Sequence, residues 1–193
     1  IWAQRLSYVG ELGYELYVKF GDAKKIYELL VDKGKDFNLS NCGMHSMDIM
    51  RMESGFLHWG HDISPEENQY QAGLSFAISN SKNIDFIGKK ALEKIKKDKI
   101  KSRFLMFTLE NSKPGEPLLL HDEPIYLEEK IIGRTTSGNY SFNFKKNLMF
   151  GYVNSDFSND ELQKKKLFVE VEKQKYPIKL NLKPLKQTNY KNI

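Results

Sequence analysis

The stretch Tyr8-Val9-Gly10-Glu11-Leu12-Gly13-Tyr14-Glu15-Leu16 organises the reading of this chain. A hydrophobic strand runs up to Val9, the chain reverses over Gly10 to Gly13, and a second strand runs from Tyr14 to Phe20 with its own apolar alternation. Glycine accepts backbone angles that other residues resist and lets a ligand approach the main chain, so Glu11 is held on a tight loop within reach of a bound molecule. The same tetrapeptide is also ordinary hairpin chemistry, with a solvated carboxylate at its tip.

Working outward, residues 1–6 read as strand at once, with no polar leader or start methionine, so the chain is expected to begin inside a domain. Asp22 caps a helix through Lys33, with Ile26, Leu29 and Leu30 on one packing face and Gly34 as its stop. A second helix, Met44 to Glu53, turns Met44, Met47, Ile49 and Met50 inward and sets Asp48 and Arg51 on another side, three apart and able to pair. Gly55 to Ile63 is a loop. His58 and His61 lie three apart there, but with no third ligand nearby in the sequence no metal is expected. Gly73 to Ser79 reads as a buried strand, Asn80 to Asn83 as a turn, and Gly88 opens a helix whose lysines form its polar face. Lys96 to Ser102 reads as a linker. From Arg103 the pattern changes to short strands: residues 103–110, Pro117 to Leu120, Pro124 to Gly133, Leu148 to Val153, Leu167 to Val171 and Tyr176 to Leu182, separated by Gly, Pro, Asn and Asp. The fold class is α+β, with residues 1–97 as an α+β domain and 98–193 as an antiparallel β-barrel.

A chain of 193 residues with 40% hydrophobic and 12% aromatic content has enough apolar side chain for real cores. No apolar run approaches the roughly 20 residues of a membrane span, so a soluble, cytoplasmic protein without a membrane partner is expected. The single cysteine, Cys42, cannot pair within the chain and is expected to be a buried thiol in a reducing compartment. The formal net charge of +5 comes from lysines interleaved with Asp and Glu, and only Arg5, Arg51, Arg103 and Arg134 are arginine. Bidentate recognition of bases and phosphates favours arginine, so this excess reads as solvated surface and no nucleic-acid partner is expected.

Y-V-G-E-L-G-Y-E-L resembles the Y-T-G-E-x-G-x-E segment of the glycine-cleavage T-protein (aminomethyltransferase) family, and further pieces follow in the family's order. Gly43 to Ile63 resembles G-x-x-x-R-D-x-L-R-L-E-x-G-x-x-x-Y-G-x-D-I, followed by Ala72 to Ile78, Asp85 to Leu92, Ile132 to Phe142 and Phe150 to Val153. The resemblance spans nearly the whole chain. It implies a ferredoxin-like second domain, here lacking its early strands and helix, and a third, barrel domain, around a central tetrahydrofolate. It also implies that the family's first domain, and the catalytic aspartate within it, lie outside these residues, so no catalytic residue is assigned and the chain alone is not expected to turn over. The missing domain or self-association would cover its exposed face.

Folate needs a flat aromatic slot and a carboxylate that accepts hydrogen bonds from the pterin. The resemblance assigns that carboxylate to Glu11. Tyr8 would close the pocket, and Trp59 either faces the pterin or anchors its loop to the core. Tyr190, in Q-T-N-Y, matches a tail that some T-proteins use to reach their substrate site. The family's arginine before the Asp is Met47 here. That loss, and Trp59, bring Arg51 to Ile63 nearer to the folate-binding C-terminal region of dimethylglycine and sarcosine dehydrogenases, in which FAD belongs to an upstream domain. The function implied is one-carbon transfer from an N-methyl amine to tetrahydrofolate. Glycine-cleavage aminomethyltransferase, a sulfonio-propionate demethylase and a non-catalytic folate protein of iron-sulfur assembly are the alternatives. Against the last stands D-F-I-G-K-K-A-L, which lacks the Cys and Gln of that branch's K-G-C-Y-x-G-Q-E.

Overall fold

The computed structural model describes residues 1–79, 85–97 and 100–187. Strands β1 (Trp2–Arg5) and β2 (Tyr14–Tyr17) pair antiparallel as a two-stranded ribbon, with Trp2 opposite Tyr17 and Arg5 opposite Tyr14. The reversal is wider than the expected four residues. The first strand stops at Arg5 rather than Val9 because Ser7 to Gly10 turn toward the loop after the second helix, with Gly10 at φ +73°. The second strand stops at Tyr17, and Phe20–Asp22 form a 3-10 turn that leads into α1 (Ala23–Gly34). Asp22 is therefore already near-helical at φ −98°, ψ −10°, and its side chain does not cap the helix. Nor does Gly34 end the helical path, which continues through the 3-10 turn Lys35–Phe37 to Asn38 at φ 55°.

No residue of α1 is buried; Leu29 and Leu30, expected to pack, are half exposed. Trp2, Tyr14, Leu16 and Tyr17 of the ribbon are exposed as well, as is Phe20. Cys42 is exposed, not buried, because it lies in the irregular segment before the next helix.

Helix α2 (Met44–Glu53) has the expected ends but a different inner face. Ile49, Arg51, Met52 and Glu53 are buried, whereas Met44 is 69% exposed. Residues 73–79 are not a strand: Gly73 sits at φ +72°, Ser75–Ala77 form a 3-10 turn and Phe76 is exposed. The Asn68 side chain donates to Gln71 Oε1 and accepts from the Tyr70 and Gln71 amides, curling the chain before an extended run can start. Residues 80–83, expected to turn, lie outside the described residues. Helix α3 (Lys89–Lys97) follows Gly88 as expected.

The second part is a closed antiparallel barrel in the order β3-β6-β5-β4-β7-β8. Its strands are β3 (Ser102–Leu109), β4 (Pro124–Leu127), β5 (Lys130–Ser141), β6 (Lys146–Asn154), β7 (Leu167–Val171) and β8 (Gln174–Asn181). Closure leaves no unpaired sheet edge. Alternate residues Phe107, Leu109, Ile125, Leu127, Met149, Val153, Leu167 and Val169 fill the interior. The outer face of β3 and β6 is also apolar: Leu148 and Phe150, with Phe104 and Met106, pack against Ile49 and Met52 of α2. Burial on both faces explains why Leu148-Met149-Phe150 reads as a continuous apolar run.

Pro117 to Leu120 is not a strand but a loop that drops Leu119 into the barrel core. Helix α4 (Asn159–Lys164) was not expected. Ser158 Oγ accepts from the Glu161 amide at 3.2 Å and the Glu161 carboxylate accepts from the Ser158 amide at 2.8 Å, a capping box that seats Leu162 in the core. Among the described residues no helix is long and apolar enough to cross a membrane.

Candidate functional site

Glu11 stands on the loop between β1 and β2. Its amide donates to Ser7 Oγ at 3.0 Å, which holds the turn, and its side chain remains more than half exposed. With Arg5, Leu6, Ser7, Leu12, Gly13 and Phe56 it lines a cleft of about 360 Å³. Tyr8 lies beneath: its hydroxyl donates to the Leu57 carbonyl at 3.1 Å and its ring stacks on Phe56, with centroids 6.4 Å apart and planes 13° from parallel. Burial raises the Tyr8 phenol above its ordinary value, the charge of Arg51 opposes that shift and Asp62 and Asp48 add to it, so the hydroxyl stays a neutral donor.

The Glu11 carboxylate is not solitary. It is paired with Lys186, whose own amide donates to the Glu53 carbonyl at 2.9 Å. This pairing ties the segment after β8 to the Glu11 loop. The same segment lays Leu185 on the α2 cluster, and Pro184 packs so close to Gly55 that a Cβ there would meet it at 2.6 Å; Gly55 also sits at φ +76°.

Trp59 is 66% exposed, neither an anchor in the core nor part of the cleft lining; Tyr8 does not line the cleft either and meets it only through Phe56. Loop backbone explains the Trp59 exposure: the Asp62 carboxylate accepts from the His58 amide at 2.9 Å while Gly60 sits at φ +91°. That turn leaves Trp59 on the outside. Tyr190 lies outside the described residues.

Behind the cleft is a buried polar cluster. Arg51 is 1% exposed and Asp62 is fully buried. The expected Asp48–Arg51 pair is present, with Nε and Nη2 of Arg51 at 2.9 and 2.7 Å from Asp48 Oδ1. Arg51 also donates to Asp62, to the Phe56 carbonyl at 3.1 Å and to Ser137 Oγ at 2.7 Å. Thr136 and Ser137 of β5 donate to Asp62 Oδ1 at 2.5 and 2.8 Å. Tyr152 of β6 donates to the Asp62 carbonyl at 2.8 Å, and burial, reinforced by Glu67 and Asp62, pushes its phenol well up. Helix α2, the 55–63 loop and the barrel are thus held by one network, with β5 facing the first part of the chain.

These partners were hidden because they are remote in sequence. Phe56 lines the cleft and Lys186 pairs with its Glu11, and of the two only Phe56, directly after a glycine in the quoted motif, carried a local signal.

Residues 1–82 match the family described as the GCVT N-terminal domain, and residues 103–186 match the glycine cleavage T-protein C-terminal barrel domain. The chain belongs to the glycine-cleavage T-protein family. Among relatives of this T-protein chain, dimethylglycine dehydrogenase of Rattus norvegicus is 34% identical over 185 residues, covering 96% of this chain and 21% of that protein. The 4-methylaminobutanoate oxidase (formaldehyde-forming) of Paenarthrobacter nicotinovorans is 41% identical over 72% of this chain and 16% of its own length. An aminomethyltransferase of Symbiobacterium thermophilum is 34% identical over 77% of this chain and 39% of its own. The chain therefore spans about a fifth of the dehydrogenase it matches. The crystal structure of aminomethyltransferase T from Bartonella henselae superposes with a TM-score of 0.81 over 97% of this chain and 50% of that one, at 24% identity, and shows the T-protein fold.

Proposed function

We propose that this chain is the folate-binding part of a tetrahydrofolate-dependent one-carbon transferase, passing a carbon unit from an N-methyl amine as in dimethylglycine and sarcosine dehydrogenases. The observation that carries the reading is Glu11 at the rim of a cleft floored by Phe56, with Tyr8 stacked behind. An ionised carboxylate accepts two parallel hydrogen bonds from the amino and ring N–H groups of a pterin, and an aromatic floor receives the flat ring. The pair with Lys186 is partly exposed, worth about 0–1 kcal/mol, and yields readily to a ligand that offers two donors. Residues 1–97 form the folate-binding unit in this reading and 98–193 the barrel that backs it. Tyr190 is a further ligand contact in this reading, and Trp59, outside the cleft lining, is not. FAD enters only through an upstream domain. The working compartment proposed is the cytoplasm.

In the polypeptide that includes its upstream domains, Glu11→Gln is expected to weaken tetrahydrofolate binding about tenfold to a hundredfold by calorimetry. The amide loses the charge and turns a donor toward the pterin N–H, and one charge-assisted pair contributes roughly 1.5–3 kcal/mol. Folding stability should move by less than about 0.5 kcal/mol, since the side chain is on the surface. Unchanged folate affinity would remove Glu11 from the site.

The exposed apolar ribbon and α1 face bear on partners. Trp2, Leu16, Tyr17 and Phe20 and, on α1, Leu29 and Leu30 are exposed apolar side chains of the kind that proteins usually cover by association. The 193-residue chain by itself is expected to scatter light as a dimer or larger species; a monodisperse monomer would count against this.

A further inference from the structure

The buried network behind the Glu11 cleft sets two carboxylates against one guanidinium. Arg51 donates to Asp48 and to Asp62, and its other partners, the Phe56 carbonyl and Ser137 Oγ, are neutral. Asp62 is fully served: Oδ1 accepts from Thr136 and Ser137, and Oδ2 from Arg51 and the His58 amide. Neighbouring residues of a strand ordinarily face opposite sides of the sheet; Thr136 and Ser137 both reach Asp62 because the β5–β6 register shifts between Thr135 and Ser137. Asp48 is not fully served. Its Oδ1 takes both Arg51 bonds, whereas among the described residues Oδ2 has only the Asn139 side-chain amide at 3.5 Å, beyond the roughly 2.7–3.2 Å of a good N–H···O bond. The unbalanced charge therefore rests on Asp48 Oδ2. Asp48 is also the carboxylate of the pair that reaches solvent, its side chain 29% exposed against 0% for Asp62.

Asp48 opens into a cleft of about 340 Å³ whose walls carry Met44 and Met47 from α2 and Leu118 and Leu120 from the loop before β4. No lysine is in that lining, and its one arginine, Arg51, is 1% exposed. The cleft adjoins the Glu11 site, because Arg51 bonds to the carbonyl of Phe56, which lines the other. An anion would meet net negative charge here, and a neutral apolar guest would strip water from a carboxylate oxygen and give nothing back. A metal ion would find one carboxylate oxygen and, among the described residues, no group of three side chains able to hold it. A substituted ammonium ion meets both demands: its N–H donates to Oδ2 while its alkyl groups lie on the thioethers and leucines.

We propose that Asp48 and this cleft bind a small alkylammonium ion, the protonated form of an N-methyl amine. As the place of the carbon donor the cleft rests on the one-carbon reading above; as a binding site it stands on the charge balance and the lining alone.

Saturation-transfer NMR of the chain with dimethylammonium chloride at constant ionic strength tests the assignment. The chain's four histidines line the cleft too, so the titration is run at about pH 8, above the range in which imidazole ordinarily takes up a proton. The expected result is saturable binding in the millimolar range, fitting a ligand of few heavy atoms, with 2-propanol, neutral and of similar size, at least about tenfold weaker. Asp48→Asn, which keeps an acceptor for Arg51, should weaken dimethylammonium binding about tenfold or more. Met44→Lys places an ammonium at the rim from a side chain 69% exposed and should do the same. Glu129→Gln, which removes a carboxylate from the β4–β5 turn, should leave binding unchanged. Circular dichroism checks folding, and Met44→Lys decides alone should Asp48→Asn not fold. Absence of binding, equal binding of 2-propanol, affinity within about twofold of the unaltered chain in Met44→Lys, or an equal loss in Glu129→Gln would overturn the proposal. The measurement contains no folate and Glu11 does not line this cleft, so it succeeds or fails independently of the Glu11→Gln result.

Discussion

Arg51→Met is expected to lower the folding free energy by about 3–5 kcal/mol and the melting temperature by on the order of 10 °C. Methionine replaces much of the buried stem, so the effect isolates the guanidinium rather than a cavity. Asp62, fully buried, keeps Thr136, Ser137 and the His58 amide as donors but loses its counter-charge. A buried carboxylate without its cation is the expensive outcome; the intact pair need not be strongly favourable. Arg51→Met combined with Asp62→Asn should therefore recover a large part of the loss. Chemical and thermal unfolding of the three proteins provide the check, and a single-variant effect below about 1 kcal/mol would mean that the charge reaches water.

Glu53→Leu should cost about 2–3 kcal/mol. The Glu53 carboxylate, 1% exposed, accepts from Ser141 Oγ at 2.6 Å and from Asn143 Nδ2 at 2.9 Å. Hydrogen bonds to a charged group contribute roughly 1.5–3 kcal/mol each, and Ser141, itself fully buried, cannot turn to solvent when its acceptor goes. Glu53→Gln keeps an acceptor and the shape, so it should cost less than half as much. Urea titration separates the two, and equal losses would assign the effect to packing instead.

The barrel was legible from sequence because short apolar runs alternate with turn residues, although Pro124 to Gly133, expected as one strand, is β4 and the start of β5 folded back on each other, and β5 runs on to Ser141. The ends of α2 were legible for a similar reason. Its inner face was not: Arg51 counts as surface in any periodicity argument, and what permits its burial is Asp62, 11 residues on, and Ser137, 86 residues on. Glu11 and Tyr8 share one loop, but only Glu11 lines the cleft, and Tyr8 meets it through its stack on Phe56. Lys186, 175 residues from Glu11, left no local signal. Two misreadings had signals within reach. The Ser158 to Glu161 capping box is readable in the sequence, and Gly73, the first residue of the expected 73–79 strand, sits at φ +72°.

The Arg51–Asp62 network also constrains how such chains can be recombined. The covalent seam before β3 is the natural place to join one relative's barrel to another's first part. The energetic seam is elsewhere, since β5 and β6 hold the 55–63 loop through Thr136, Ser137 and Tyr152. A working chimera must therefore inherit the 51–62 segment and the 134–141 segment from the same parent, whichever side of the join each of them falls on.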